Sequence, residues 1–379
     1  MDQAQAYLDY NATAPLRPQA RAAMVAALEH TGNPSSVHGP GRAARRLVEE
    51  AREAVARLSG ARPAEVVFTS GGSEANTLAL APRTSDGVLL VGATEHPSVL
   101  AGGRFPAGAV ETIPVDHNGL IALDWLAERL GRAPAVAWVS VMAANNETGV
   151  IQPIDRVAKL TRAAGAVLHC DAVQAAGRVP LDTLKDVDLI TLSGHKIGGP
   201  QGVGALIRRG ELTLQPLVRG GGQERAQRAG TENVAGIAGF GAVAEQAIDD
   251  AARAERLTRL RDRLEEGLRA ISPDAVIFSH GAARVANTTC FAVPGIAAEK
   301  AVIALDLDGV AVSSGSACSS GKVGPSHVLA AMGIEPHLAG GAIRISLGWA
   351  SSEEDIEMFL RVWRRVAGAL DRNRREQAA

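Results

Sequence analysis

Apolar residues recur in two rhythms along this 379-residue chain. Leu47, Ala51, Val55 and Leu58 fall at helical spacing, with Arg45, Glu49, Arg52 and Glu53 on the side expected to meet water. Short continuous apolar runs follow at 66–69, 88–91, 136–142, 166–170, 189–192 and 204–207, and helical patterns such as 123–130 and 154–164 separate several of them. Runs this rich in apolar residues, set between helices, predict strands buried on both faces. The expected fold is therefore α/β, with a mainly parallel sheet.

The texture changes near residue 255. Leu257, Leu260, Leu264 and Leu268 mark a long helix, followed by a strand pattern at 288–293, a helix around 298–307 and strands at 310–313 and 343–347. A capping box of Ser351 with Glu354 predicts a last helix that buries Ile356, Phe359, Leu360, Trp363 and Leu370. This organisation reads as a large α/β domain over 12–254 and a smaller α+β domain formed by 1–11 and 255–379.

Composition narrows the function classes. The net charge of −2 comes from 39 basic and 41 acidic residues with no basic block or acidic tail, which argues against nucleic acid or a membrane surface as the main partner. No apolar run reaches spanning length, and residues 1–15 lack the basic start and apolar centre of a signal peptide, so the expected compartment is the cytoplasm. The cysteines are Cys170, Cys290 and Cys318, without a Cys-x-x-Cys pair. This set is neither a disulfide framework nor a zinc site, and no metal is expected; any cysteine chemistry belongs to a single thiol.

In open α/β sheets ligands gather beyond the carboxyl ends of the strands. The polar islands of this chain fall there repeatedly. After the run at 66–69 come Ser70, Gly71, Gly72, Ser73 and Glu74, small residues leading into a helix; they read as a tight turn with an N-cap, or as a phosphate cradle of free N–H groups. Thr94-Glu95-His96-Pro97 and Asn145-Asn146-Glu147-Thr148-Gly149 close the next two strand patterns. The run at 166–170 ends in Asp171, followed by Gln174. A carboxylate closing a buried strand needs a cation, donors or a helix start nearby. His169 and Asp171 project to one side and Cys170 to the other, so the three are no metal triad and Cys170 belongs to the core. The next strand closes in Ser193-Gly194-His195-Lys196. A lysine just past a buried strand is a candidate Schiff-base residue, and an acid and a lysine from successive strand ends are the pair that a pyridoxal ring requires.

Further on, Ser313-Ser314-Gly315-Ser316-Ala317-Cys318-Ser319-Ser320-Gly321 forms a small-residue loop that fails the Walker A spacing but suits a thiol that must travel. Cys290, inside a strand pattern, reads as core. Arg344 lies in an apolar strand, where its guanidinium calls for a carboxylate, supplied by a structural ion pair or by an amino-acid substrate.

Taken in order, Thr94-Glu95-His96, Asn145-Asn146-Glu147-Thr148-Gly149, Asp171-Ala172-Val173-Gln174, Ser193-Gly194-His195-Lys196 and Ser313-Ser314-Gly315-Ser316-Ala317-Cys318 resemble the IscS/NifS-type cysteine desulfurases. These belong to the class V aminotransferase group of the fold-type I pyridoxal-phosphate enzymes. The resemblance runs from Tyr7-Leu8-Asp9 to the last helix and implies a seven-stranded type of sheet flanked by helices. It also implies that Lys196 carries pyridoxal 5'-phosphate as a covalent aldimine, that Asp171 pairs with the ring nitrogen, and that His96 stacks on the ring and assists proton transfer. Gln174 would bond the ring oxygen, while Gly72, Ser73, Ser193 and His195 would hold the phosphate. Thr231 would reach that phosphate from the other subunit of a homodimer. Asn146 would lie beside the cofactor and Arg344 would bind the carboxylate of L-cysteine. Cys318 would take the sulfur as a persulfide, leaving L-alanine, and pass it to an acceptor protein such as an iron–sulfur scaffold or a tRNA-thiolation carrier. Ser73 stands where relatives often have Thr, with the hydroxyl kept.

Three other readings compete. A selenocysteine lyase or aminotransferase would share the fold. A sulfur-relay or regulatory protein without catalysis has no use for Asp171, Lys196, Arg344 and Cys318 together. A nucleotide-binding protein would need a phosphate-binding glycine motif that the chain lacks.

Overall fold

The computed structural model describes residues 5–82, 87–132, 134–315 and 326–378. Thirteen strands run through these residues. They are β1 (Ala6–Tyr7), β2 (Val66–Thr69), β3 (Val88–Gly92), β4 (Val110–Ile113), β5 (Val136–Ser140), β6 (Val167–Asp171), β7 (Leu189–Ser193), β8 (Gly204–Arg208), β9 (Val276–Ile277), β10 (Thr288–Ala292), β11 (Val310–Ala311), β12 (Ser313–Ser314) and β13 (Ile343–Ser346). Seven form the main sheet in the order β2, β8, β7, β6, β5, β3, β4. Only β8 runs against the direction of the other six, so the sheet is mainly parallel as expected. Alternation within a strand covers both faces: Val66 and Phe68 join the core with Cys170 and Phe240, whereas Val67 packs with Leu78, Leu89 and Trp138 on the other side.

The strand pattern departs from the sequence reading at β4, which that reading did not contain. It is an edge strand whose Glu111 pairs with Arg129 and whose Thr112 is exposed, so no continuous apolar run marks it. The expected strand at 310–313 is two short strands in different sheets, because β11 pairs with β1 while β12 pairs with β13.

Helix Gly39–Ser59 carries a further correction. Leu47 is half-buried and Val48 takes its place on the buried stripe. Arg52, expected in water, is buried, because Glu224 receives its guanidinium at 2.7 and 2.8 Å and the cation lies 4.9 Å from the Phe68 ring centroid.

A second core belongs to the four-stranded antiparallel sheet β12, β13, β10, β9 and the helices Glu255–Ile271 and Glu353–Ala378. Phe291 meets Trp363 edge-on at 5.3 Å, and Ile356, Phe359 and Trp363 are buried as expected, whereas Leu360 and Leu370 are half-buried. The last helix is capped one residue later than expected. Ser351 Oγ accepts from Gly348 N, leaving Ser352 and Asp355 to form the reciprocal box. Among the described residues no helix is long and apolar enough to cross a membrane.

Candidate active site

Because six strands of the main sheet run the same way, their carboxyl ends share one edge. A cavity of about 310 Å³ opens there, and it brings together Gly72, Ser73, His96, Asn146, Asp171, Gln174, Ser193, His195, Lys196 and Arg344. Two expected residues stand apart. Thr231 is exposed and borders a separate cavity with Glu224 and Arg228. Cys318 lies outside the described residues.

Asp171 closes β6. Its Oδ2 accepts from Asn76 Nδ2 at 2.8 Å and its Oδ1 from Val173 N at 3.0 Å, two neutral donors that suit a carboxylate. On the same strand face His169 sits between Ser140 Oγ at 2.8 Å and Thr191 Oγ1 at 3.0 Å. Burial pushes His169 down to about 4 against the opposing pull of Asp171, so this imidazole is neutral. Cys170 points to the opposite core, where burial raises its thiol well above the usual range, and Cys290 is buried and raised in the same way. Both are inert packing residues, as expected.

His96 caps the short helix Pro97–Leu100, and its Nδ1 accepts from Ser98 N at 3.1 Å. A backbone N–H can only donate, so the neutral ring carries its proton on Nε2. Burial holds the His96 pKa below the usual value; Lys196 and His327 add to that, and Asp171 opposes it. One imidazole therefore feels both the acid and the amine of the site.

Lys196 sits in the turn Gly194–Lys196 directly after β7, and its Nζ donates to the carbonyls of Asn11 at 2.6 Å and Ala12 at 2.8 Å. His195 Nδ1 lies 3.1 Å from Thr13 Oγ1, and burial with the neighbouring Lys196 charge brings its pKa down to about 4. Arg344, in β13, is buried. Its guanidinium reaches Asp9 Oδ1 at 2.7 Å and the Asn146 carbonyl at 3.1 Å. The structural ion pair foreseen for this arginine thus exists, and the residue still lines the cavity. Its Nε is buried with no hydrogen-bond partner among the described residues.

The helix Gly72–Ala79 starts without a side-chain cap, and its first bond runs from Ala75 N to the Gly71 carbonyl. The N–H groups ahead of that bond are the usual seat of an anion. A Cβ on Gly72 would lie 3.1 Å from Val173 Cγ2 and 3.6 Å from Ser193 Cβ, so a side chain there would crowd the cavity wall.

Several contributing residues carry no chemical motif of their own. Asn76, one helical turn beyond Gly72, was discoverable only as the donor that a buried Asp171 requires. Asn11 lines the cavity and supports Lys196 through its main chain, which no side-chain pattern announces. Glu95 is buried beneath the site and its Oε1 accepts from Met142 N. Burial and the nearby Asp171 hold its carboxyl well above the usual range.

The aminotransferase class-V family matches residues 6–359 of the chain. The chain is 46% identical over 368 residues to a cysteine desulfurase of Cereibacter sphaeroides, with 94% of each protein covered. It is 40% identical over 391 aligned positions to an IscS-like cysteine desulfurase of Mycobacterium tuberculosis, covering 99% of this chain and 98% of that one. A solved NifS-like protein from Rickettsia africae superposes with a TM-score of 0.88 at 34% identity, over 96% of this chain and 100% of the other. Matches of this length and identity join the geometry of the cavity in one conclusion: the chain belongs to the class-V aminotransferase family, on its cysteine desulfurase branch.

Proposed function

We propose that the cavity holds pyridoxal phosphate on Lys196 and converts L-cysteine to L-alanine, with Cys318 taking the sulfur as a persulfide. The observation that carries this reading is one cavity lined by Asp171, Lys196, His96 and Arg344 at the carboxyl edge of the sheet. The residues suit the cofactor. Asp171 offers an oriented carboxylate to the ring nitrogen, and the uncapped helix start at Gly72, with Ser73, Ser193 and His195, suits the phosphate. Gln174 spends one amide N–H on the Asn11 carbonyl and keeps a second for the ring oxygen.

When bound, the cofactor supplies a sink for the electron pair left at Cα of cysteine. Arg344 grips the substrate carboxylate beside Asn146. Lys196 takes the Cα proton, and His96, with Nδ1 tied to Ser98, has Nε2–H to offer as a donor in the same cavity. Cys318 thiolate then attacks the substrate sulfur. An S–S bond forms as the C–S bond breaks, and the electron pair stays with the carbon, which gains protons and leaves as alanine.

We assign the wider setting in the same terms. Thr231 is exposed and outside its own chain's cavity, as a residue serving the partner of a homodimer would be. The core under the four-stranded sheet draws on residues of 1–11 and 255–379, and we assign these to the smaller domain beside 12–254. Chemistry run on a free thiol suits the cytoplasm, with an iron–sulfur scaffold or thiolation carrier as acceptor.

The decisive variant is Cys318→Ala. It should keep the visible cofactor band while losing sulfide and alanine release from cysteine. Full turnover without this thiol would reject the assignment.

A further inference from the structure

Asn11 is 2% exposed and uses every polar group it has. Its N–H donates to Ser346 Oγ at 2.9 Å, and its carbonyl accepts from Lys196 Nζ at 2.6 Å and Gln174 Nε2 at 3.0 Å. In the side chain, Oδ1 accepts from Arg178 at 3.2 Å and Asn287 at 3.1 Å. Nδ2 donates to the Asn146 carbonyl at 3.0 Å and to Thr288 Oγ1 at 2.9 Å. The partners fix the orientation of the amide, since a guanidinium only donates and a backbone carbonyl only accepts.

These bonds connect the two ends of the site. The Asn146 carbonyl that accepts from Asn11 also accepts from Arg344 at 3.1 Å. A short chain of contacts therefore runs from the Lys196 amine through Asn11 and the Asn146 carbonyl to the Arg344 guanidinium. The remaining partners sit on or beside the strand pair that carries Arg344: Thr288 opposes Ser346 across β10 and β13, and Asn287 precedes Thr288.

Behind Asn11 stands Arg178, which is buried and whose other contact is the Gln174 carbonyl at 2.9 Å. No ion pair holds it among the described residues. Burial and the Arg344 charge lower its guanidinium to about 10, with Asp250 opposing. A charged donor in a poorly solvated place makes a strong hydrogen bond, and Asn11 Oδ1 receives it.

We propose that Asn11 is a positioning residue that sets the spacing between the Lys196 amine and the Arg344 guanidinium, locked in place by the buried Arg178. The proposal rests on the reading of Lys196 as the cofactor lysine and Arg344 as the carboxylate grip. Removing the Asn11 side chain spares the main-chain carbonyl under Lys196 and frees Asn146 and Arg344 to shift. Substrate binding is therefore affected more than turnover.

The test uses the cofactor-loaded enzyme and three variants. Asn11→Ala should raise KM for cysteine roughly tenfold, with kcat reduced less than about threefold. Asn11→Asp keeps an acceptor for Arg178, so it should melt close to the wild type; it offers no donor to the Asn146 carbonyl and should raise KM like alanine. This variant separates positioning from folding, and it remains informative if Asn11→Ala does not fold. In an Arg344→Lys background, Asn11→Ala should add less than about a twofold change, because both substitutions act on one contact. Equilibrium binding of L-alanine, read from the visible band, should weaken in parallel with KM. A wild-type KM in Asn11→Asp, or full multiplication of the two effects, overturns the proposal. If Arg344→Lys alone leaves KM unchanged, the carboxylate reading and this proposal fall together; if it raises KM while the Asn11 variants behave as wild type, only the proposal falls.

Discussion

Glu147→Gln offers a direct check on the electrostatics of the site. Glu147 is buried and receives a hydrogen bond from Ser326 Oγ, the residue that caps helix His327–Ala331 by accepting from Leu329 N at 3.0 Å. Burial raises the Glu147 carboxyl from 4.5 to about 7, although the Ser326 bond and the Arg344 charge pull the other way. The buried Cys290 thiol, raised chiefly by burial, also senses this carboxylate. The sign is set by linkage. Between the unfolded value of 4.5 and about 7, the folded chain keeps a proton that the unfolded chain has lost. Stability therefore falls as pH rises through this window, and above it the full cost remains.

At about 1.4 kcal/mol per pH unit, an interval of that width is worth about 3 kcal/mol. Glutamine keeps an acceptor for Ser326 and cannot ionise. Its own extra N–H adds an offset that does not vary with pH. The assay is thermal melting of wild type and Glu147→Gln at pH 5, 6, 7, 8 and 9, and the quantity read is the difference in Tm at each pH. That difference should move in favour of the variant by a few degrees between pH 5 and pH 8, then level off. A difference that stays flat across the series would show that the wild-type carboxyl ionises as it does in water, and the account of its burial would be wrong.

Two other substitutions probe the frame around the site. Arg52→Ala strips the buried Glu224 of its charged partner, leaving it the Phe68 N–H at 2.9 Å, and should cost about 3–5 kcal/mol in denaturant unfolding; Arg52→Met with Glu224→Leu should recover most of it, and a lone Arg52→Ala with no loss would refute a desolvated pair. Gly348→Ala places a Cβ 1.8 Å from Tyr10 Cδ1, next to Asn11, and should cost about 1–3 kcal/mol; unchanged melting would mean that Tyr10 yields freely.

The parts of this molecule that were legible in the sequence are those with local signals. Buried strands are largely apolar, so six of the seven strands in the main sheet stand out, and the polar residues at their ends mark the site. What was hidden depends on distant partners or on contact on all sides. Arg52 looks solvated because its partner Glu224 lies 172 positions away in the chain. Helix Val234–Ala252 shows no clear apolar stripe because it packs closely against helices Pro18–Leu28 and Gly39–Ser59. A Cβ on Gly239 would meet Met24 Cγ at 2.7 Å, and one on Gly241 would meet Ala51 Cα at 2.5 Å. Small residues there serve close approach, not periodicity. Asn11 was invisible for a related reason: its seven hydrogen bonds reach residues from 146 to 346.

The acids of the site differ in the donors that meet them. Asp171 and Glu95 are both buried, and Asp171 adds to burial in raising the Glu95 carboxyl. Two N–H donors converge on Asp171, one on each oxygen. Among the described residues Glu95 receives one, from Met142, and its Oε2 has no hydrogen-bond partner. Donors favour a charged carboxylate and burial disfavours it, so Glu95, buried with a single donor, holds its proton well above the usual carboxylate range. A protonated Glu95 brings no negative charge of its own to the polar groups that line the cavity.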